Sequence, residues 1–311
     1  MTLIQLEYIV AVDTYKNFAL AAEKCFVTQP TLSMQIQKLE EGLGVTIFDR
    51  SKQPTIATEA GEAIIEQARK VLKEAARIKE LISDKKTEVK GELRIGIIPT
   101  VAPYLLPLFL TKFLKTYPEV KLIVDELTTD QIVTNLKNDL LDAGILVTPL
   151  HNSHITEIPL YYEPFVVYAS EKSALGDVEK LKPKEINLNE VWLMNEEHCI
   201  SSQVMNLCNE RKKQHIVTNL EYKAGSIETL KKMVELNNGI TLLPALSLTN
   251  LTAAQKKMVK YFEDPEPVRE VSLAVSRTFI KKRMIEALRE CILNHVPETM
   301  KKAANKKIVQ L

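Results

Sequence analysis

The residues best equipped for chemistry are Cys199 and Cys208. They lie nine positions apart in the run from Glu197 through His198 to Cys208, in a chain with four cysteines. A thiolate is a nucleophile, and two thiols can pass reversibly into a disulfide. If the segment is one helix, a rise of ~1.5 Å per residue sets the two Cα atoms ~13.5 Å apart. A disulfide tolerates roughly 4.4–6.8 Å, so the sulfurs bond only if the segment refolds, which suggests a switch rather than a staple. Cys199 stands beside His198, ahead of the expected helix Ser202–Lys212, with Ser201, Ser202 and Gln203 following. A helix N-terminus carries partial positive charge that favours a thiolate, and an imidazole adds a donor. Cys208 falls with Val204 and Leu207 on an apolar helical face, the setting of a core thiol. Cys25 and Cys291 also share helical faces with apolar neighbours and read as small core residues. An isolated His-Cys pair is more often an inert thiol beside an incidental histidine. A structural zinc needs four ligands, and His215, the only candidate to join His198, Cys199 and Cys208, stands at a spacing that matches no familiar zinc pattern. No metal and no cofactor is expected.

The elements that must position these thiols follow from pattern. A chain of 311 residues accommodates two or three units at ~100–200 residues per domain. It is 45% hydrophobic and 26% charged, as ordinary soluble proteins are. Its longest apolar stretches fall short of the ~20 residues that span a bilayer, and no basic segment leads into an apolar run at the N-terminus. A cytoplasmic protein with no membrane association is expected, where a disulfide is transient and regulatory. The net charge is +1, and acidic and basic residues balance over residues 1–90. Any DNA surface must then come from local placement of charge.

Up to about Lys86 the periodicity is helical. Leu3, Leu6, Ile9 and Val10 mark a first helix; Phe18, Ala21, Ala22, Cys25 and Phe26 mark a second. Thr28-Gln29-Pro30 opens a third, with Leu32, Ile36, Leu39 and Leu43 inward and Gly42 and Gly44 at its end. Two short β-prone pieces, Val45–Arg50 and Pro54–Thr58, read as a wing. A long helix from about Glu62 to Asp84 carries Ile64, Ile65, Ala68, Val71, Leu72, Ala75 and Ile78 at the spacing of a two-helix seam, which predicts dimerisation. Beyond Gly91 strands and helices alternate, the mark of an α/β domain, with two sub-sheets joined by crossovers near 160–165 and 267–270. Three helices, a tight turn and a wing form a DNA-binding reading. In it Gln29, Pro30 and Thr31 sit at a helix N-terminus that favours phosphate, Ser33, Gln35 and Lys38 face base edges or phosphates, and Arg50 and Lys52 hold the backbone from the wing.

The ordered series Leu6, Phe18, Ala21-Ala22-Glu23, Thr28-Gln29-Pro30-Thr31-Leu32-Ser33, Ile36, Leu39-Glu40, Leu43-Gly44, Phe48-Asp49-Arg50 and Thr58-Glu59-Ala60-Gly61 resembles the N-terminal signature of LysR-type transcriptional regulators. The resemblance implies a winged helix-turn-helix over 1–58 and a linker or dimerisation helix with hinge over 59–90. It implies an α/β regulatory domain over 91–311, shaped like a periplasmic binding protein. That domain would have lobe I at about 91–162 and 268–300 and lobe II at about 163–267. Leu193-Met194, His198-Cys199, Gln203, Met205 and Cys208, with Ser226–Leu230, Met233-Val234 and Gly239–Leu246, are similar to the peroxide-sensing members of that family. What this implies is that hydrogen peroxide oxidises Cys199 to a sulfenic acid, that Cys208 resolves it as a disulfide, and that a glutaredoxin- or thioredoxin-type reductant reverses it. It also implies that Thr100, Thr129, His198 and Arg269 surround Cys199, that the protein is a homodimer or homotetramer on a double-stranded DNA operator, and that RNA polymerase is its partner. One departure stands out: Ser201-Ser202 replaces a basic-acidic pair common in those members.

Two other functions remain open on the residues alone. A metabolite-sensing regulator would bind a small anion through Thr100, Thr129 and Arg269, leaving the cysteines incidental. A thiol peroxidase would use the same pocket chemistry, though a DNA-binding head makes little sense for a scavenger. Both threonines could also serve only as helix caps.

Overall fold

The computed structural model describes residues 1–83, 89–175, 178–195, 199–208, 224–249, 251–277, 279–303 and 305–310, and the chain divides into two compact units, Met1–Glu88 and Val89–Leu311. In the first unit, α1 (Leu3–Tyr15) starts at Thr2, whose side chain and Gln5 satisfy each other's backbone N–H groups. After α2 (Phe18–Lys24) comes α3 (Gln29–Leu43), which ends where Gly44 turns left-handed at φ 69°. The wing is the antiparallel pair β1 (Phe48–Asp49) and β2 (Ile56–Ala57), and α4 runs over Glu59–Ser83. Leu6, Ile9, Val12, Ala21, Ala22, Leu32, Ile36, Leu39, Ile47, Phe48, Ile65 and Ala68 form one core. Its larger side chains contribute roughly 1.5–3 kcal/mol each by leaving water. Three apolar residues of the helical pattern are outside it, and Leu43, expected inward, is 41% exposed at the end of α3. Phe26 follows the end of α2 in a left-handed turn and is 96% exposed, and Leu3 is exposed in the first turn of α1.

The second unit is built on one mixed sheet. Strands β3 (Gly91–Ile97), β4 (Val120–Glu126) and β5 (Ala143–Thr148) are parallel, and α5 (Ala102–Thr116) and α6 (Thr129–Lys137) connect them. The strand β6 (Ile155–Ala169) is followed by β7 (Lys180–Leu181), α7 (Cys199–Leu207), α8 (Ile227–Leu236), β8 (Ile240–Pro244), α9 (Ala253–Lys257), β9 (Val259–Phe262), β10 (Glu266–Ser276), α10 (Lys282–Leu293) and β11 (Lys306–Ile308). The sheet order is β4-β3-β5-β10-β6-β9-β7, with β8 on β6 and β11 on β10. The crossovers expected near 160–165 and 267–270 are not loops. They are the centre of β6 and the first part of β10, which pair antiparallel from Ile155–Ser276 to Pro164–Val268. Pro159 cannot donate to the ladder, and the register slips beside it, between Val271 and Ser272. Prolines and a charged pair interrupt the apolar pattern there, which hides the continuity of the strands.

Two cores flank these long strands. The first joins β3, β5, α5, α6 and α10 with the first part of β6, through residues such as Ile95, Phe109, Ile132, Ile145, Tyr161, Leu273 and Leu288. The second gathers Phe165–Ala169, α7, α8 and β8 with Phe262 and Val309. No helix among the described residues is long and apolar enough to cross a membrane.

Candidate redox site

A glycine pair, a capping box and a buried arginine set the side chains expected around Cys199. Gly96 and Gly144 are register partners on β3 and β5. A Cβ on Gly144 would come within 2.3 Å of Ile132, and one on Gly96 within 2.7 Å of Leu141. Their absence lets α6 lie directly on the sheet. Thr128 caps that helix, accepting from the Gln131 N–H, while Gln131 accepts from the Thr128 N–H. Thr129 is therefore free of capping, and its hydroxyl favours the thiolate form of Cys199. Thr100 is not a cap either: α5 is entered through Val101, and Thr100, 1% exposed, is held by Arg269. Neither threonine of the pair is spent as a helix cap.

Cys199 is the first residue of α7 rather than a residue ahead of it. Its own N–H and that of Ile200, unpaired amides at a helix N-terminus, favour its thiolate form. Burial nevertheless pushes the thiol above the ordinary cysteine value; the Arg269 charge, those two N–H groups and the Thr129 hydroxyl pull it back only in part. A helix N-terminus alone predicts the opposite direction, and desolvation of the charged form outweighs it here. Ser201, buried, donates to the Met194 carbonyl at 2.6 Å, while Ser202 is exposed. The extension of the helix to Lys212 and the strand expected from Val217 lie outside the described residues, except Ala224, which bridges to Met194. His198 also lies outside them.

Arg269 is 1% exposed in the middle of β10. Its Nη1 donates to Thr100 Oγ1 at 3.1 Å and its Nη2 to the Thr100 carbonyl at 3.0 Å. Nε and Nη2 both donate to Glu163 Oε2, at 3.0 and 2.8 Å. Glu163 is its cross-strand partner on β6, and the other carboxylate oxygen accepts the Leu246 N–H at 2.8 Å. The Glu163 carboxylate holds the buried guanidinium charged against the cost of desolvation. Beside them Tyr104 donates to Glu228 at 2.7 Å, and Lys231 donates to the same carboxylate at 2.8 Å. Glu163, Tyr104 and Glu228 escaped the sequence reading. Their partners are distant in the chain, and only a correct strand pairing of β6 with β10 would have exposed the first.

Cys208 follows the last turn of α7 and is buried in the second core with Ile200, Val204 and Leu207. Cys199, at the other end, packs against the first core. At ~1.5 Å per residue the two Cα atoms stand ~13.5 Å apart along the helix, and no disulfide joins them. The C-terminal segment holds this helix from outside. Gln203 Nε2 donates to the Val309 carbonyl at 3.2 Å, Asn206 Nδ2 donates to that of Gln310 at 3.3 Å, and Val309 is itself hydrogen-bonded to Val268 on β10.

The residues expected to meet DNA all belong to the first unit. Gln29, Ser33, Arg50 and Lys52 line one cleft of about 780 Å³ with Lys16 and Asn17; Pro30, Thr31, Gln35 and Lys38 lie outside that lining. Gln29, Pro30 and Lys38 are exposed, and Thr31 hydrogen-bonds to Thr28. Arg50 donates to Ser33 at 3.1 Å and to Glu40 at 3.0 Å, and lies over the Phe18 ring. Gln35 accepts from Gln5. Arg50, Ser33 and Gln35 thus carry internal contacts that any DNA contact must share or replace.

Residues 3–62 match the bacterial regulatory helix-turn-helix protein, lysR family, and residues 86–297 match the LysR substrate binding domain. A hydrogen peroxide-inducible genes activator from Haemophilus influenzae is 35% identical over 88% of this chain and 90% of its own. A full-length OxyR variant from Pseudomonas aeruginosa superposes with a TM-score of 0.78 at 32% identity, over 95% of this chain and 99% of that one. An OxyR mutant from Corynebacterium glutamicum, solved with hydrogen peroxide bound, gives a TM-score of 0.60 at 27% identity, over 94% of each chain.

Proposed function

The chain belongs to the LysR family of bacterial regulators, among its OxyR-type hydrogen peroxide-inducible activators, and we propose that it senses peroxide through a reversible Cys199–Cys208 disulfide. The observation that carries this reading is the placement of the two thiols. The Arg269 charge, the amides of α7 and the Thr129 hydroxyl act on Cys199, Arg269 is bonded to Thr100, and Cys208 follows the same helix in another core.

The chemistry balances as follows. The Cys199 sulfur, giving up its proton, attacks one peroxide oxygen and the O–O bond breaks. The departing hydroxide takes up that proton and leaves as water, and Cys199 becomes a sulfenic acid. Thr100 accepts a hydrogen bond from Arg269, so its own O–H points elsewhere and can donate to the departing oxygen. His198 is placed by the reading at the same pocket. Donors oriented where charge develops lower the barrier. Cys208 then attacks the sulfenic sulfur, a second water leaves, and the disulfide forms. A glutaredoxin- or thioredoxin-type dithiol returns two electrons and restores both thiols. The second step requires α7 to unwind, which removes Ile200, Val204 and Leu207 from the second core at roughly 1.5–3 kcal/mol each. Oxidation therefore repacks the regulatory domain, and an oligomer transmits the change to its DNA-binding heads.

In this reading residues 1–58 bind an operator through Gln29, Pro30, Thr31, Ser33, Gln35, Lys38, Arg50 and Lys52. Residues 59–90 join copies into dimers and tetramers, where the exposed Val71 and Ile78 of α4 supply an apolar seam. RNA polymerase is the cytoplasmic partner that reads the result. The protein is a regulator and not a peroxidase, and the family membership leaves the scavenger alternative without support. An anion-sensing role is also disfavoured, because Glu163 already neutralises the Arg269 charge such a ligand would need. Peptide mapping before and after sub-stoichiometric peroxide tests the reading. A Cys199–Cys208 cross-link that a dithiol removes is expected, and two free thiols after peroxide would overturn it.

A further inference from the structure

The Glu163–Arg269 pair is almost wholly enclosed, with side chains 0% and 1% exposed. It is built into the sheet: the two residues face each other across β6 and β10, and the Leu246 N–H fixes the carboxylate from its far side. The guanidinium spends two donors on Glu163 and two on Thr100. Arg269 also acts on the Cys199 sulfur. A bare guanidinium beside a thiol would activate it toward any electrophile. A guanidinium cancelled by a carboxylate gives little of that general activation, while its N–H groups still orient the Thr100 hydroxyl. Such a donor helps only a reaction in which an oxygen departs.

We propose that Glu163 is a positioning and specificity-determining residue of the peroxide reaction: its carboxylate clamps Arg269 onto Thr100 and cancels the guanidinium charge, so that Cys199 responds to peroxide in preference to other electrophiles. The proposal rests on the peroxide reading of the same site. The other charged and titratable groups nearby are Tyr161 on β6, facing Arg269, and Tyr104 on α5, which feels both members of the pair and donates to the Glu228–Lys231 pair of α8. The charge that acts most on Cys199 is that of Arg269.

The test compares two rates at Cys199 in the full-length chain, resolved by peptide mapping: sulfenic-acid formation by peroxide and alkylation by iodoacetamide, whose leaving iodide needs no oriented hydroxyl. In Glu163→Gln the guanidinium loses its counter-charge. The alkylation midpoint should fall by about one pH unit, a tenfold change in thiolate fraction, and the peroxide-to-iodoacetamide rate ratio should fall roughly tenfold or more. Glu163→Asp keeps the charge and shortens the reach. It should keep the wild-type midpoint and still lose rate ratio. A residue that merely supports the fold would move neither the midpoint nor the ratio in these directions. A wild-type midpoint in Glu163→Gln, or a wild-type ratio in Glu163→Asp, overturns the proposal. If Glu163→Gln does not fold, the aspartate variant alone decides. If wild-type Cys199 forms no sulfenic acid, the peroxide reading has failed before Glu163 is tested.

Discussion

The two ends of α7 belong to different cores, and the groups around each end are held in different ways. At the Cys199 end, every described partner sits on an element with its own anchor. Thr129 lies on a helix that two glycines and a capping box dock onto the sheet, and Arg269 is fixed by strand register and a buried carboxylate. At the Cys208 end the thiol is one apolar member among Ile200, Val204 and Leu207, with the chain's last residues laid over the helix. Preorganised donors suit bond making. Apolar packing of a nine-residue helix, held besides by two side-chain hydrogen bonds to the chain's last residues, suits an element that must be given up and regained. The difference assigns reaction to one core and movement to the other.

The strongest way to break this division is to remove each thiol. Cys199→Ser should abolish disulfide formation and the transcriptional response to peroxide in a reporter assay. Cys208→Ser should still form a sulfenic acid at the wild-type rate, detectable by dimedone labelling, but no intramolecular cross-link. Equal sulfenic-acid loss in both variants would mean that the two ends are not specialised.

The next effect concerns the outer hold on α7. Removing residues 306–311 takes away β11, the buried Val309 and the acceptors of Gln203 and Asn206. Two hydrogen bonds at about 1 kcal/mol each and one valine at roughly 1.5–3 kcal/mol would be lost from the reduced form. The disulfide then becomes easier to form, so its midpoint potential should move more negative by tens of millivolts, at 30 mV for about 1.4 kcal/mol. Equilibration against a graded dithiol buffer measures this. An unchanged potential would show that the tail holds reduced and oxidised forms equally.

Legibility from sequence followed the same division. Helices α1 to α4 and the wing announce themselves through a 3.6-residue period, the Pro30 start and the Gly44 stop, because each signal is local. Thr100 and Thr129 were legible as hydroxyls at strand ends. That Thr128 rather than Thr129 does the capping is set by Gln131 three residues on, a capping-box spacing that the sequence already carries. Glu163 was invisible because its meaning lies in pairing with Arg269 across two long strands. The outward Leu43 and Phe26 could not be read, because apolar spacing says nothing about a helix end or a left-handed turn that carries a side chain into solvent. The direction of the Cys199 acidity was misjudged for a related reason: the helix N-terminus is visible in sequence, whereas the desolvation that outweighs it is a property of the packed site.

That acidity yields a smaller, pH-dependent effect. The folded thiol holds its proton above the ordinary cysteine value, so alkylation of Cys199 should be slow near neutrality. It should rise with a midpoint above that of a free cysteine. The sign for stability follows from the same shift. The contribution from the protonated thiol is fully present below the unfolded cysteine's value and is lost as pH rises through the folded one. Urea midpoints should therefore fall between those two values in wild type by more than in Cys199→Ser. A Cys199 that alkylates with a midpoint below free cysteine would contradict the dominance of burial.

The smallest expected effect lies between the thiols, where Ser201-Ser202 stands in place of a charged pair. The two serines are not equivalent. Ser201 is buried and ties the start of α7 to the Met194 carbonyl, so a charge there would break a buried contact. Ser202 is exposed on the first turn, where an aspartate would meet the positive end of the helix and stabilise it by about 0.3–1 kcal/mol. Ser202→Asp should therefore leave sulfenic-acid formation within about twofold of wild type and slow the following disulfide step by about two- to fivefold, because that step must unwind a firmer helix. The slowing should shrink at high salt, as exposed charge interactions do. Dimedone trapping against disulfide appearance after a peroxide pulse separates the two steps. Equal slowing of both would place position 202 in the reaction rather than in the movement, and identical rates in both steps would remove any tuning by charge at this position.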